Sequence, residues 1–575
     1  MNSSTIEIPV RPRRRFLPDD LKIDSWNKVE KYFLDLRERK ISSKKELEHW
    51  LLDWSELDAV LSEDLAWRYI RMTCDTANPE FVKAYTFYIT EIEPKISPFG
   101  NEFNKKLIDS SFLKELDQEK YRIYLRSVRK AVDIFRTENI PLFTEQNTES
   151  QKFGSISGDQ TIHYKDQELT MQRGASMLKE TDRGTREEVW KMMQERREKD
   201  VDTLNTLYTK LIGLRNKIAL NAGFLNYRDY KFASLGRFDY GVKDCFDFHD
   251  SILNEIVPNN ILADKERREK LGLVTLRPWD MDVDVTGKDP LRPFINSADL
   301  ISRSVSCFYK VRHYFGECLE TMNAMKHLDL DSRKGKAPGG YNYPLFEIGV
   351  PFIFMNSVGT HRDLVTMVHE GGHAVHSFLS RNLEITEFKS IPSEVAELAS
   401  MSMELISMEH WEVFFSNKED LKRARKEQLD KILHTLPWIA MVDKFQHWVY
   451  ENPDHDLNER AAKWLSLTDQ FHGTEVDWSG LEHYKKRFWQ NQMHIFEVPF
   501  YYIEYGFAQL GAVAVWRNYK KDPEKALDQY QAALTLGYTR SIPEIYKTAG
   551  IRFDFSRAYV KELIDFVVAE RKKLD

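Results

Sequence analysis

Between residues 364 and 380 the chain reads Leu-Val-Thr-Met-Val-His369-Glu370-Gly371-Gly372-His373-Ala-Val-His376-Ser-Phe-Leu-Ser. On a helix, His369 and His373 lie one turn apart on one face, where both imidazoles reach a single Zn²⁺. Glu370 then stands beside the open coordination position, placed to take a proton from the metal-bound water. Two ordinary core histidines would leave the glutamate between them without a purpose. Gly371 and Gly372 each weaken a helix by about 1 kcal/mol relative to alanine. Their presence predicts that something approaches the backbone closely there.

A catalytic zinc takes a third protein ligand and leaves its fourth position to water. Residues 391–405, Ile-Pro-Ser-Glu394-Val-Ala-Glu397-Leu-Ala-Ser400-Met-Ser-Met-Glu404-Leu, offer three carboxylates. Glu397 and Glu404 are seven apart and share a helix face, and Glu394 is one turn upstream of Glu397. Spacing does not choose among them. One can be a ligand and another the acceptor for an imidazole N–H; a solvated helix face would also carry three glutamates.

The elements that must position these groups are helices. Gly 25 and Pro 20 are few for 575 residues, while Phe 34, Tyr 25 and Trp 13 supply ample core. Ser43 with Glu46 reads as a capping box opening a helix through Trp50, Leu51, Trp54 and Leu57. Thr185 with Glu188 reads as a second, opening one long helix whose later part carries Leu204, Leu207, Leu211, Leu214 and Ile218. Helical patterns also cover about 243–270, 297–327, 419–450, 457–470, 520–536 and 555–573. Residues 140–175 read as a loop or small hairpin, and 346–356 as a strand that needs a partner.

The net charge of −7 gives no basic field for nucleic acid or anionic membrane. Four scattered cysteines, with no CxxC pair, read as a reduced intracellular chain. The N-terminus shows no signal peptide, no segment is apolar enough to span a membrane, and Arg13–Arg15 read as a solvated tail.

In its motifs the chain resembles the M3 family of zinc metallopeptidases, the group of thimet oligopeptidase and oligoendopeptidase F. That family shows HExGHxxH followed by a helix with ExxSxxxE, whose first glutamate is the third ligand. His369-Glu-Gly-Gly-His373-Ala-Val-His376 and Glu397-Leu-Ala-Ser400-Met-Ser-Met-Glu404 match in register. The resemblance therefore selects Glu397 as ligand and gives Glu404 and His376 supporting places behind the ligands. Gly335-Lys-Ala-Pro-Gly339-Gly340-Tyr341 resembles the segment that pairs with substrate backbone before the active-site strand. His494-Ile-Phe-Glu-Val-Pro-Phe-Tyr501-Tyr502-Ile-Glu-Tyr505 resembles the His-then-tyrosines segment. There a histidine and tyrosine hydroxyls hydrogen-bond the substrate carbonyl and oxyanion. The segment is one residue shorter than in thimet-type members, which makes Tyr502 and Tyr505 the matching pair and leaves Tyr501 to substrate binding.

The resemblance implies a mainly α fold, two helical halves enclosing a deep substrate channel, with a small β element beside the HExxH helix. It divides the chain into an N-terminal helical region, 1–240, and a catalytic region, 241–575. The expected activity is zinc-dependent, cytoplasmic hydrolysis of internal bonds in short unstructured peptides, with one Zn²⁺ per chain. Extended substrate would pair with the strand near 346–354. Two alternatives stay open: a carboxypeptidase or dipeptidyl carboxypeptidase on the same scaffold, and a non-catalytic zinc- or peptide-binding protein.

Overall fold

The computed structural model describes residues 7–575 except 334 and 338. The first six residues of the N-terminal reading, and Pro338 of the glycine-containing segment, lie outside the described residues. Among the described residues the fold is mainly helical, as its few glycines and prolines suggest, with two small sheets.

The chain forms two compact units, each assembled from three stretches. The first holds residues 1–133, 292–425 and 508–553, and the second 134–291, 426–507 and 554–575. The core of the first unit gathers Leu36, Trp50, Phe103 and Leu125 from early helices with Ile385 and Phe388 from far downstream. That of the second includes Ile162, Val189, Trp190 and Trp279.

Ser43 caps the helix Lys44–Cys74 by accepting from the Glu46 amide, while the Glu46 carboxylate turns back to Ser42. The second expected box is displaced. Asp182, not Thr185, caps the helix Arg183–Glu198, and a break at Lys199 and Asp200 separates it from Val201–Asn221, which carries the leucine stripe. An aspartate accepts a cap hydrogen bond as readily as a threonine, so spacing misplaced the start. The expected segments 243–270 and 297–327 are likewise each two helices, divided at Ile256 and Arg312.

Residues 140–175 differ most from expectation. Ile140–Gly158 is a helix despite its glycines and serines, with Pro141 in its first turn. Phe153 stacks on Phe496 at 4.6 Å, so packing outweighs weak propensity there. The hairpin is confined to β1 (Thr161–Tyr164) and β2 (Gln167–Thr170), turned by Lys165 and Asp166 at positive φ.

In the first unit, β3 (Leu328–Asp331), β4 (Tyr341–Tyr343) and β5 (Phe352–Ser357) form a sheet in the order β3-β5-β4. The expected strand thus begins later than 346 and lies in the middle. Phe352–Phe354 is paired on one side to Tyr341–Tyr343, and Ile353 and Phe354 are paired on the other to Leu328 and Asp329. A strand paired on both sides has no edge for substrate; the outer edge of β4 has one. Arg14, expected in a solvated tail, instead pairs with Glu347 at 2.6 Å, its side chain 6% exposed.

Among the described residues no helix is long and apolar enough to cross a membrane.

Candidate metal centre

The motif helix, His361–Ser380, starts at a full capping box between Thr360 and Asp363, which fixes where its turns face. It packs along Ser393–Met408, a helix buried on almost every side. The two glycines allow this approach. A Cβ on Gly372 would lie 2.7 Å from Ser400 Cα and 2.9 Å from the Ala399 carbonyl oxygen; one on Gly371 would meet the Phe308 ring at 2.6 Å. The close approach predicted from two mid-helix glycines is the neighbouring helix at Gly372 and the Phe308 ring of the helix Ser297–Val311 at Gly371.

All three glutamates of that helix are buried: Glu394 at 3%, Glu397 at 5% and Glu404 at 4% exposure. A solvated face is excluded, and buried carboxylates need partners. Glu397 Oε2 lies 3.3 Å from His369 Nε2 and 3.7 Å from His373 Nε2, and the three side chains present ligand atoms within 4.8 Å of one another. Ser400 Oγ donates to Glu397 Oε2 at 3.0 Å, steadying it. Glu404 Oε1 meets His369 Nδ1 at 2.6 Å, which turns Nε2 toward the centre. Glu394 is outside this group.

Two imidazole nitrogens and one carboxylate oxygen, with the Nδ1 of one histidine held by a second carboxylate, fit a divalent cation of the zinc type. Burial disfavours charge on His369, but Glu397 and Glu404 override it and hold its imidazole well above the ordinary range. Burial pushes His373 down to about 4, the neutral form a ligand requires. Glu370, 7% exposed, is pushed up to about 7 by burial, eased by His369 and reinforced by Glu397 and Glu404. His376 is buried, faces the Leu534 backbone and stays outside the ligand group.

The glycine segment leads into β4. Gly339 has φ +98°, a left-handed conformation that suits glycine. Tyr341 stacks flat on Phe354 and shares a hydrogen bond with Thr73 at 2.6 Å. Beside β4, Leu65, Tyr69, Tyr85, Tyr341 and Tyr343 line a cavity of about 320 Å³.

His494, Tyr501, Tyr502 and Tyr505 form one cluster in the second unit. Ring centres of His494 lie 4.8 Å from Tyr502, 5.8 Å from Tyr505 and 6.0 Å from Tyr501. Two supporting residues went unread in the sequence. Trp438 Nε1 donates to Gln492 Oε1 at 2.9 Å, so the Gln492 amide nitrogen faces His494 Nδ1 at 2.6 Å. An amide N–H donates, so Nδ1 accepts and Nε2 carries the proton. Phe500, at φ +65°, bends the chain into Tyr501, with its amide held by Gln446 at 2.8 Å. The only sequence signal was a glutamine two residues before the histidine. Burial pushes Tyr502 up to about 12, keeping its hydroxyl a donor.

The signature of Peptidase family M3 matches residues 176–564, and that of the Peptidase M3 N-terminal domain matches 17–135. Oligopeptidase PepF of Bacillus subtilis (strain 168) is 26% identical over 241 residues, 39% of this chain and 33% of that protein. An oligoendopeptidase F homolog of Lactococcus lactis subsp. lactis (strain IL1403) is 22% identical over 389 residues, 65% of this chain and 61% of that protein. These matches span between one third and about three fifths of the curated relatives. Solved structures align over nearly the whole length. One, of a protein named as an oligoendopeptidase F, has a TM-score of 0.90 at 26% identity, covering 98% of this chain and 99% of that one. PZ peptidase A with an inhibitor gives 0.89 at 25%, covering 96% and 97%.

Proposed function

The chain belongs to peptidase family M3, and we propose that it is a zinc-dependent oligoendopeptidase that hydrolyses internal bonds of short, unstructured peptides. The observation that carries this reading is the convergence of His369, His373 and Glu397, with Glu370 in the same helical turn but outside the ligand group. A binding site has no use for a buried general base at that position.

When bound, Zn²⁺ would supply Lewis-acid polarisation and acidify a water. His369, His373 and Glu397 would hold it, one ion at this centre. Glu404 orients His369, and His376 supports the next turn. Glu370 takes a proton from the attacking water and returns it to the leaving amine. His494, with Nε2 protonated, and the hydroxyls of Tyr502 and Tyr505 are assigned as hydrogen-bond donors to the oxyanion, with Tyr501 touching substrate. Gly339, Gly340 and Tyr341 line the approach to the β4 edge, where an extended peptide adds as a strand and its main chain is read. The adjoining tyrosine-lined cavity accepts an apolar or aromatic side chain of that peptide. The four cysteines, which form no disulfide among the described residues, support a cytoplasmic setting.

The test is product analysis by mass spectrometry on peptides of about ten residues with both ends blocked. Internal fragments are expected. Cleavage only after the C-terminus is freed would replace the endopeptidase reading with an exopeptidase one.

A further inference from the structure

A second group of ligand-type side chains lies wholly within the second unit. Cys245 and His249 are one turn apart on Val242–Glu255, and Asp443 and His447 are one turn apart on Lys418–Glu451. Cys245, His249 and Asp443 are each 0% exposed and His447 is 1%. Cys245 Sγ, a carboxylate oxygen of Asp443 and a ring nitrogen of His447 lie within 4.8 Å of one another. His249 Nε2 meets Asp443 Oδ2 at 2.8 Å.

The hydrogen bonding of this cluster is incomplete. His447 Nε2 approaches Asp443 Oδ2 to 3.1 Å, but the alignment is not that of a hydrogen bond. Both His447 nitrogens, Asp443 Oδ1 and His249 Nδ1 lack hydrogen-bond partners among the described residues. The surroundings are dry: the rings of Phe246, Phe500 and Phe232 centre 4.9, 5.4 and 5.8 Å from His447. Unsatisfied polar atoms in such a setting are rare and costly, and they ask for an explanation such as an ion.

We propose that Cys245, Asp443 and His447 bind a second Zn²⁺, with His249 holding the Asp443 carboxylate in place. Thiolate, imidazole and carboxylate together favour zinc over hard cations, and a histidine–carboxylate contact behind a ligand is the usual support. Binding displaces the thiol proton, and the ion ties two helices of one unit. With no exposed surface the site is structural, and it raises the metal content from one ion per chain to two.

Cobalt(II) is the probe, incorporated during expression of the full chain, because a thiolate ligand gives it a near-ultraviolet charge-transfer band that nitrogen and oxygen ligands do not. The expected result is two ions per chain with that band. The His369→Ala/His373→Ala variant should keep one ion and the band, and Cys245→Ser should keep one ion and lose the band. If Cys245→Ser does not fold, the His369→Ala/His373→Ala variant decides alone, since its second site is untouched. One ion per chain without the band, falling to none in His369→Ala/His373→Ala, would overturn the second site and leave the first intact.

Discussion

At the scale of single residues, the two proposed histidine ligands were legible from their spacing, His369 and His373 one turn apart, whereas Glu397 was chosen over Glu394 only by the family resemblance. Burial was not legible, and burial is what makes Glu397 a partner and not one of three solvated glutamates. The support of His494 was hidden for another reason: Trp438 and Gln492 are 54 residues apart and meet only through the fold. Two outcomes follow at this scale. Glu404→Ala frees His369 Nδ1, and metal affinity should fall by about 10–100-fold in competition with a chelator. An unchanged affinity would remove Glu404 from its supporting role. Gln492→Leu takes away the donor that fixes the His494 tautomer, so kcat should fall by about 10–100-fold with metal content unchanged. A change in KM alone would contradict that assignment.

At the scale of elements, the helix carrying the motif and the helix after it were readable from the spacing of their histidines and glutamates, and Gly372 announced their contact in advance. Starts and breaks were less readable. Asp182 replaced Thr185 as a cap, and Ile140–Gly158 forms a helix that its glycines and serines argue against, because tertiary packing supplies what propensity withholds. The expected substrate-pairing strand was misplaced because an apolar run shows burial but not which strands lie beside it. Gly372→Ala tests the helix contact directly. Its methyl group would meet backbone atoms at 2.7 and 2.9 Å, which cannot rotate away. The expected cost is about 1–3 kcal/mol in denaturant unfolding, together with weaker metal binding as the Glu397 helix is pushed from the histidines. A variant as stable as the parent, with full metal affinity, would contradict the packing described.

At the scale of the molecule, each unit is built from three separated stretches. No linker composition marks those divisions, since an apolar stripe shows that a helix face is covered but not by what. The pairing of Asp58 with Glu387 shows how distant stretches meet inside the first unit. Ser55, one turn earlier, shares a 2.9 Å hydrogen bond with Thr386. Burial pushes Asp58 up to about 6, and burial with repulsion from Asp58 pushes Glu387 up to about 7, from ordinary values of 3.8 and 4.5. Raised carboxyl values mean that the folded chain holds protons the unfolded chain has released. Stability from this pair is therefore greatest below about pH 4, declines as pH rises to about 7 and is flat beyond. Asp58→Asn should raise Tm by about 2 °C or more at pH 8 and give no gain at pH 4. A Tm difference independent of pH would contradict the pairing.

Glu370 as the base of a metal-dependent peptidase is probed by Glu370→Gln, which removes the base and leaves the proposed ligands in place. Metal content and hydrolysis of an internally quenched, end-blocked peptide are measured together on the parent and the variant, before and after chelation and zinc add-back. The parent should lose cleavage on chelation and regain it with zinc. The variant should bind the same amount of metal yet cleave at least about 10²–10⁴-fold more slowly. A variant that keeps both its metal and the parent's rate would rule out Glu370 as the base.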